Sequence, residues 1–420
     1  MKFALVSYIL PPSSTGQAML LYRLLGGLRA DDYCLISMEK DDLKGNYSGR
    51  LPVNYYYLPS EFQFTRGYRF GLAAVRRYVN LLLSVTAGAY TRARRIAEVV
   101  RSEGCEAVVG CSAGHDMVYL PAAYLASRLA RVPLYVYMID DYSSQWDSKF
   151  VRFLARHIEP RALKAAAGVI TISEFLRDTL RRRHGVEATV IHTPCDLSAY
   201  EETSAPARRD GETRIVFTGA VSEAQLDALV NLAGALNLLA RPDTRLHLYT
   251  AQVASDWEPR GLRGPVVFHP HQSIFDIPRI QMDADLLFLP LAFDSPYPEH
   301  IRTAVPSKTG EYLASGRPIL VHAPRDTFIV WYFRQHDCGL VVDENDPALL
   351  AQAVERLLTD ETLRRRLVAN ARRCAREDFS VGAARARFAR VLDVELSPQP
   401  REKYAGGETE PSASSSGVLS

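Results

Sequence analysis

The stretch from residue 282 to residue 324 constrains the fold of this chain more than any other. Residues 285–291 are apolar throughout, which is typical of a strand buried in a parallel sheet. The pattern predicts a polar loop over residues 292–305 and a helix over 306–316, because Pro306 suits a first helical turn and Gly316 suits the left-handed residue that follows the last one. A second apolar run covers residues 319–321. The order strand, loop, helix, strand predicts half of a Rossmann-like layer.

The start of this helix carries residues that suit an anion. Free backbone N–H groups and the positive end of a helix dipole attract negative charge. Ser307 and Lys308 add a hydroxyl and a cation, and Glu311 follows one turn later, where it could reach the hydroxyls of a sugar. On the local pattern alone, a capped helix with one solvated lysine is an equally good interpretation.

Residues 306–320, PSKTGEYLASGRPIL, resemble the donor-site helix of retaining glycosyltransferases of the family 4 type, which have the two-domain GT-B fold. The resemblance continues in residues 338–350 and 370–380. It implies an α/β protein with two Rossmann-like, doubly wound parallel-sheet domains that face each other across a cleft. It also implies a donor site containing Gly219, Ser307 and Lys308, with Glu311 on the ribose of the nucleotide.

The same resemblance, together with changes in composition, predicts how the chain is divided. Residues 1–202 form an acceptor-binding domain, and the polar, Pro- and Gly-containing residues 203–212 form a linker. Residues 213–380 form the donor domain. Residues 381–396 form a helix that returns to the first domain, and residues 397–420 are low in apolar content and predicted to be disordered.

Two positions depart from the family pattern. After Gly219 the family often has an Arg and a Lys that clamp the diphosphate, whereas this chain has the uncharged or acidic residues 220–225. Thr303 stands where the family has the first Glu of a Glu-x7-Glu pair, which contacts the donor sugar. Asp294 or Glu299 in the same loop could substitute, or the sugar could be held differently, so the donor sugar stays open.

The first domain offers candidate catalytic residues at the ends of its predicted strands, where ligands of open α/β sheets gather. Asp140 and Asp141 follow the strand predicted over residues 132–139, at a place where the family commonly has a His or Asp facing the cleft, and His115 follows the neighbouring strand. An Asp pair that caps the next helix is the alternative. The loop with Thr15 and Gly16 resembles the family's Gly-rich turn, although a plain turn would explain it as well.

Composition restricts the classes of protein that this chain can belong to. A length of 420 residues suits two domains, and a net charge of +2 argues against a nucleic-acid binder. Six scattered Cys without a C-x-x-C pair suggest neither a zinc site nor a disulfide framework, which fits a reducing, cytoplasmic setting. No apolar span of 18 residues occurs.

Residues 61–101 combine apolar and basic side chains at helical spacing, including Arg66, Arg69, Arg76 and Arg77. Such a helix can lie on the anionic inner face of a membrane, or it can be a domain helix with its polar side in water. A further basic run, residues 181–183, is expected to be a solvated face.

These observations predict a glycosyltransferase that moves a hexose-like unit from a nucleotide-diphosphate sugar to a hydroxyl of a glycan, lipid-linked or small-molecule acceptor, as in the synthesis of surface polysaccharides or glycoconjugates. The resemblance implies retention of the anomeric configuration. We expect no metal and no cofactor, because no D-x-D motif stands at a suitable place. The alternatives are a catalytically inactive carbohydrate- or partner-binding protein of the same fold and a nucleotide-sugar 2-epimerase.

Overall fold

A computed structural model describes residues 1–13, 15–37, 50–58, 79–112, 117–146, 148–201 and 211–396, which form two α/β domains. The strands of the first domain are β1 (Phe3–Val6), β2 (Tyr33–Ser37), β3 (Tyr55–Tyr57), β4 (Ala107–Cys111), β5 (Leu134–Met138), β6 (Gly168–Thr171) and β7 (Thr189–Val190). They are parallel and lie in the order β3-β2-β1-β4-β5-β6-β7.

The second domain repeats this arrangement. Its strands are β8 (Thr213–Thr218), β9 (Thr244–Tyr249), β10 (Val266–His269), β11 (Leu286–Pro290), β12 (Ile319–His322) and β13 (Leu340–Val342). They are also parallel, in the order β10-β9-β8-β11-β12-β13. In both sheets the direction of winding therefore reverses beside the first strand, and the predicted pair of doubly wound parallel sheets is confirmed.

Helices cover both faces of the sheets, and this explains why central strands such as β1, β4, β11 and β12 are buried along their whole length. Six of the helices begin at a Ser, Thr or Asp whose side chain accepts a hydrogen bond from the first turn. The helices are α1 (Gly16–Leu25), α2 (Ala89–Ser102), α3 (Tyr119–Ala130), α4 (Lys149–Ala165), α5 (Glu174–His184), α6 (Ser198–Glu201), α7 (Leu226–Leu238), α8 (Ala254–Trp257), α9 (Ile277–Met282), α10 (Pro298–Thr303), α11 (Thr309–Ala314), α12 (Phe328–His336), α13 (Pro347–Thr359), α14 (Glu361–Cys374) and α15 (Val381–Leu392).

The last helix, α15, crosses from the second domain to the first. Cys195 and Ser380 form a backbone bridge just before it. The ring of Phe388 then lies 6.1 Å from that of Phe3, and the Arg385 Nε donates to the carbonyl of Arg23 in α1. These contacts tie the end of the second domain to the core of the first.

The key stretch differs from its prediction in two respects. The helix predicted over residues 306–316 is shorter, because α11 begins only at Thr309, with Lys308 as its N-cap. Gly316 does have the expected left-handed conformation, with φ of 74°. The predicted loop over 292–305 contains the short helix α10.

Several predictions fall on residues that the structure does not describe. They concern His115, the four arginines between 66 and 77, most of the linker 203–212 and the tail 397–420. In the described ranges, no helix has the length and apolarity needed to cross a membrane. The same ranges contain no group of three or more His, Cys, Asp and Glu side chains that could hold a metal ion.

Candidate active site

A cavity of about 720 Å³ opens between the two domains. It lies beside the loops after β1 and β8, where the winding of each sheet reverses. Helices leave opposite faces of the sheet at such a point, so a crevice forms there, and open α/β proteins bind ligands in it. Four residues of the predicted donor site line this cavity, namely Gly219, Ser307, Lys308 and Glu311, together with Thr15 and Gly16 of the predicted N-terminal loop.

Lys308 brings a positive charge to the cavity in a place where water offers it little stabilisation. Its side chain is half-buried, and its Nζ lies 4.0 Å from the centre of the Phe217 ring. Burial lowers the pKa of Lys308 to about 8, and the carboxylate of Glu311 offsets only part of that effect. Because so little negative charge lies near this ammonium group, an anionic ligand would stabilise it strongly.

Gly219 permits this arrangement at the end of β8. Its φ is 113°, a conformation that residues with a side chain rarely adopt. A Cβ added here would also lie 3.4 Å from both Cε and Nζ of Lys308. A side chain at this position would therefore strain the turn, and it would be in ordinary van der Waals contact with the lysine.

The two domains approach each other closely at Gly16 and Ser307. A Cβ on Gly16 would lie 3.3 Å from the Cβ of Ser307, which is tighter than usual for two such atoms. Thr15 accepts a hydrogen bond from the backbone N–H of Ala18 and so fixes the start of α1. Because α11 has only six residues, its dipole contributes less at Ser307 than the longer predicted helix would.

Glu311 is held between the two domains. Its Oε1 accepts from the Arg23 guanidinium on α1 at 3.1 Å, and its Oε2 accepts from the Gln281 amide at 3.3 Å. Gln281 is buried, and its own oxygen accepts from the Tyr200 hydroxyl at 2.6 Å. Of the described arginine and lysine residues, Arg23 and Lys308 line the large cavity. No local sequence signal links Arg23 to Glu311.

Aromatic side chains line the cavity at the loops after β9 and β10. Tyr249, His271 and Phe275 belong to this part, and the ring of Tyr249 stacks on His269 with 4.2 Å between the ring centres. The strand order puts β9 and β10 on one side of Gly219, whereas Lys308 follows β11 on the other side. The cavity therefore runs from an aromatic part to a cationic part.

A smaller cavity of about 240 Å³ adjoins the large one and shares Gly16, Leu20 and Ser307 with it. Asp140, just beyond β5, lines this side cavity together with His300 of α10. Thus the structure brings Asp140 to the cleft, next to a histidine that the sequence analysis did not identify. His300 lies in a helix that was predicted to be loop, so no periodic pattern indicated where it points.

Asp141 points elsewhere. Its side chain is completely buried, and both of its oxygens accept from the Arg183 guanidinium at 2.9 Å. Arg183 also binds Glu299 of the second domain at 2.9 Å. Neither Asp141 nor Glu299 lines either cavity. Arg183 is consequently part of a link between the domains, although residues 181–183 are all exposed, as expected for a solvated face.

The two remaining positions of the sugar-binding hypothesis also lie outside the cavities. Asp294 is exposed, and its backbone N–H donates to Asp227 at 2.7 Å. Thr303 is buried at the end of α10, where its hydroxyl lies within hydrogen-bond distance of the carbonyls of Glu299 and His300. Its own carbonyl accepts from the Ser173 hydroxyl of the first domain. Thr303 therefore anchors the helix.

Two family models match the chain. The model described as glycosyl transferase 4-like domain matches residues 51–195, and the model described as glycosyl transferases group 1 matches residues 212–360. A curated relative, the alpha-D-kanosaminyltransferase of Streptomyces kanamyceticus, is 25% identical over 305 residues, which cover 68% of this chain and 76% of the relative.

Solved structures share the fold across almost the whole chain. The Anabaena protein Alr3699/HepE in complex with UDP has a TM-score of 0.67 at 15% identity, covering 94% of this chain and 100% of the other. The sucrose-phosphate synthase of Thermosynechococcus elongatus has a TM-score of 0.66 at 16% identity, covering 94% and 98%. With both halves matched by family models, the chain belongs to the GT-B glycosyltransferases of the glycosyl transferase 4-like and group 1 families.

Proposed function

We propose that this glycosyltransferase takes its sugar from a nucleotide-diphosphate sugar and transfers it to a hydroxyl group of a glycan, lipid-linked or small-molecule acceptor. The observation that carries the proposal is the poorly compensated ammonium of Lys308, placed in a 720 Å³ cavity between two doubly wound domains. A diphosphate bound beside this ammonium group supplies the negative charge that the surrounding side chains do not provide. The complexes of Alr3699/HepE with UDP and with UDP-glucose support the choice of ligand class.

In this proposal the nucleotide extends from the aromatic part of the large cavity to its cationic part. The base lies among Tyr249, His271 and Phe275, and the ribose lies at Glu311. The diphosphate lies at Lys308 and the Ser307 hydroxyl. The places of the base and the diphosphate agree with the strand order, because β10 and β9 lie on one side of β8 and β11 lies on the other.

The chemical step breaks the bond between the anomeric carbon and the diphosphate oxygen and forms a bond to the acceptor oxygen, whose proton leaves with the diphosphate. Lys308 stabilises the charge that develops on the departing diphosphate. Closure of the two domains around the bound donor would keep out water that would otherwise hydrolyse it. We propose that the anomeric configuration is retained and that neither a metal nor a cofactor is needed.

The setting of the reaction is likewise a proposal. All six cysteines are buried and unpaired by disulfides, which supports a reducing, cytoplasmic compartment. Exposed Val79, Leu82 and Tyr90 favour peripheral contact with a membrane, where a lipid-linked acceptor for polysaccharide or glycoconjugate synthesis would be found. The basic residues in the sequence 61–101 favour an anionic membrane over a neutral one. Co-sedimentation with vesicles that contain phosphatidylglycerol tests this contact, and it is refuted if binding equals that to neutral vesicles.

The proposed donor is tested by thermal unfolding of the wild-type protein with UDP-, GDP-, ADP- and TDP-sugars. A ligand that binds the folded state raises the midpoint. We expect one nucleotide class to do so, and we expect Lys308→Ala to abolish the shift. Lys164→Ala, which changes an exposed lysine of α4, serves as the control. If no nucleotide raises the midpoint, the proposal is refuted.

Turnover then separates the remaining alternatives. A transferase releases the nucleoside diphosphate only when an acceptor is supplied or when water replaces it. A 2-epimerase changes the configuration of the sugar, which NMR detects. A non-catalytic binding protein binds the donor and changes nothing.

A further inference from the structure

The side cavity contains a pair of polar side chains that span the two domains. Asp140 comes from the end of β5 in the first domain and His300 from α10 in the second, and Nδ1 of His300 lies 4.0 Å from Oδ1 of Asp140. Both side chains are about one-third exposed, at 31% and 30%. The pair therefore faces solvent in the cavity while it bridges the cleft.

The two ring nitrogens of His300 have different surroundings. Nδ1 is closed off from solvent and makes no hydrogen bond at the distance observed. His300 lines the side cavity, and its Nε2 has no hydrogen-bond partner among the described residues. A carboxylate beside Nδ1 favours the tautomer with a proton there, so Nε2 is left as an acceptor, or as a donor when the ring is charged. Such a nitrogen suits a hydroxyl group, which can both donate and accept.

The helix that carries His300 is held rigidly. Thr303 closes its last turn and binds Ser173 of the first domain through its carbonyl at 2.9 Å. The Arg302 guanidinium donates to the Thr179 hydroxyl of the first domain at 2.7 Å. His300 is thus positioned by contacts that do not involve the cavity itself, as expected for a preorganised binding group.

The position of the cavity indicates which part of a ligand reaches it. It adjoins the large cavity at Ser307, next to Lys308, and it does not include the aromatic residues after β9 and β10. Any group attached to a diphosphate at Lys308, on the side away from the nucleoside, enters here. Apolar side chains, among them Leu20, Ile172 and Leu291, complete the lining and suit the C–H face of a sugar ring.

We propose that His300 binds a hydroxyl group of the transferred sugar and that Asp140 is a positioning residue that fixes the orientation of its ring. This inference rests on the proposed function, since it takes the diphosphate at Lys308 as given. It assigns to the cleft a sugar-binding residue in place of the predicted Asp294 and Glu299, which do not line either cavity.

The test compares the binding of UDP, GDP, ADP and TDP with that of UDP-glucose, GDP-mannose, ADP-glucose and TDP-glucose by calorimetry. The measured quantity is the ratio of the two dissociation constants for the nucleotide that binds. We expect His300→Ala to shift this ratio against the sugar by about five- to tenfold while the affinity for the free diphosphate stays the same. His300→Gln, whose amide reaches the place of Nε2, restores part of the loss, and Asp140→Asn gives an intermediate shift.

His157→Ala, which removes an exposed histidine of α4, is the matched control, and thermal unfolding checks that each variant is folded. An unchanged ratio in His300→Ala overturns the inference, and so does a loss that extends equally to the free diphosphate. The ratio could also stay unchanged while free glucose or mannose competes less well with the nucleotide sugar in His300→Ala than in the wild type. In that case His300 and Asp140 bind the acceptor, and the inference as stated is wrong. If none of the diphosphates binds to the wild type, the proposed function fails, and the inference fails with it.

Discussion

Binding of a nucleotide-diphosphate sugar should take up a proton above pH 7, and Lys308 should be the group that accepts it. In the free protein the pKa of Lys308 is lowered to about 8, so the side chain loses its charge over a range in which an ordinary lysine keeps it. An anion placed beside it favours the ammonium form and raises this pKa again. The affinity is therefore greatest below pH 8 and falls as the pH rises through 8.

The size of the effect follows from the fraction of Lys308 that is charged before binding. With a pKa of about 8, roughly nine-tenths of the molecules carry the proton at pH 7, half at pH 8 and one-tenth at pH 9. Proton uptake on binding is then about 0.1, 0.5 and 0.9. The affinity at pH 9 is about tenfold lower than at pH 7, which corresponds to about 1.4 kcal/mol. Tyr312 does not contribute, because burial raises its pKa and keeps it neutral over this range.

Calorimetry in two buffers that differ in ionisation enthalpy measures the number of protons taken up. The matched variant is Lys308→Arg, which keeps a cation that does not titrate below about pH 12. We expect proton uptake near zero for this variant at every pH between 7 and 9. Equal uptake in the wild type and in Lys308→Arg at pH 8 would refute the reasoning, as would an affinity of the wild type that does not change with pH.

Three further predictions concern the links between the domains and the requirement for a metal. Arg183→Ala leaves the buried carboxylate of Asp141 without its counter-charge and should lower the free energy of unfolding by about 3 to 4 kcal/mol. The control Arg181→Ala removes an exposed ion pair and should change the free energy of unfolding by less than about 0.5 kcal/mol. Similar urea midpoints for the two variants would contradict the role given to Arg183. A double-mutant cycle of Arg23→Met and Glu311→Gln should give a coupling energy of about 1 to 2 kcal/mol in urea unfolding, whereas additive effects would show that their contact is not a stabilising link. Sugar transfer should proceed unchanged in excess EDTA, and a loss of activity that Mg²⁺ restores would show that the metal-independent mechanism is wrong.

The elements of the fold could be predicted from the sequence because they depend on local patterns. The apolar run of residues 132–139 became β5, and residues 319–321 lie within β12. Gly316 has the left-handed conformation because a residue without a side chain adopts positive φ without strain, and such a residue commonly ends a helix. In each case the residues that decide the structure are neighbours in the chain.

The site could be predicted only in part, because its geometry depends on residues that are far apart in the chain. Lys308 and Glu311 were found through their motif, but the partner of Glu311 lies 288 residues away, on α1. Helix α10 was missed because it has six residues and no side chain that caps its start. Its stability comes instead from contacts with the first domain, such as those of Arg302 and Thr303. A pattern of local residues does not contain that information.

The contacts between the domains fall into two groups, and the difference bears on how a donor would bind. Glu311 lines the large cavity, so its partner Arg23 occupies a carboxylate that a nucleotide sugar would also use. Binding then exchanges contacts within the protein for contacts with the ligand, and the observed affinity is the difference between the two. The pair of Arg183 and Glu299 lies outside both cavities and has no such competitor. It can hold the domains together whether or not a donor is bound.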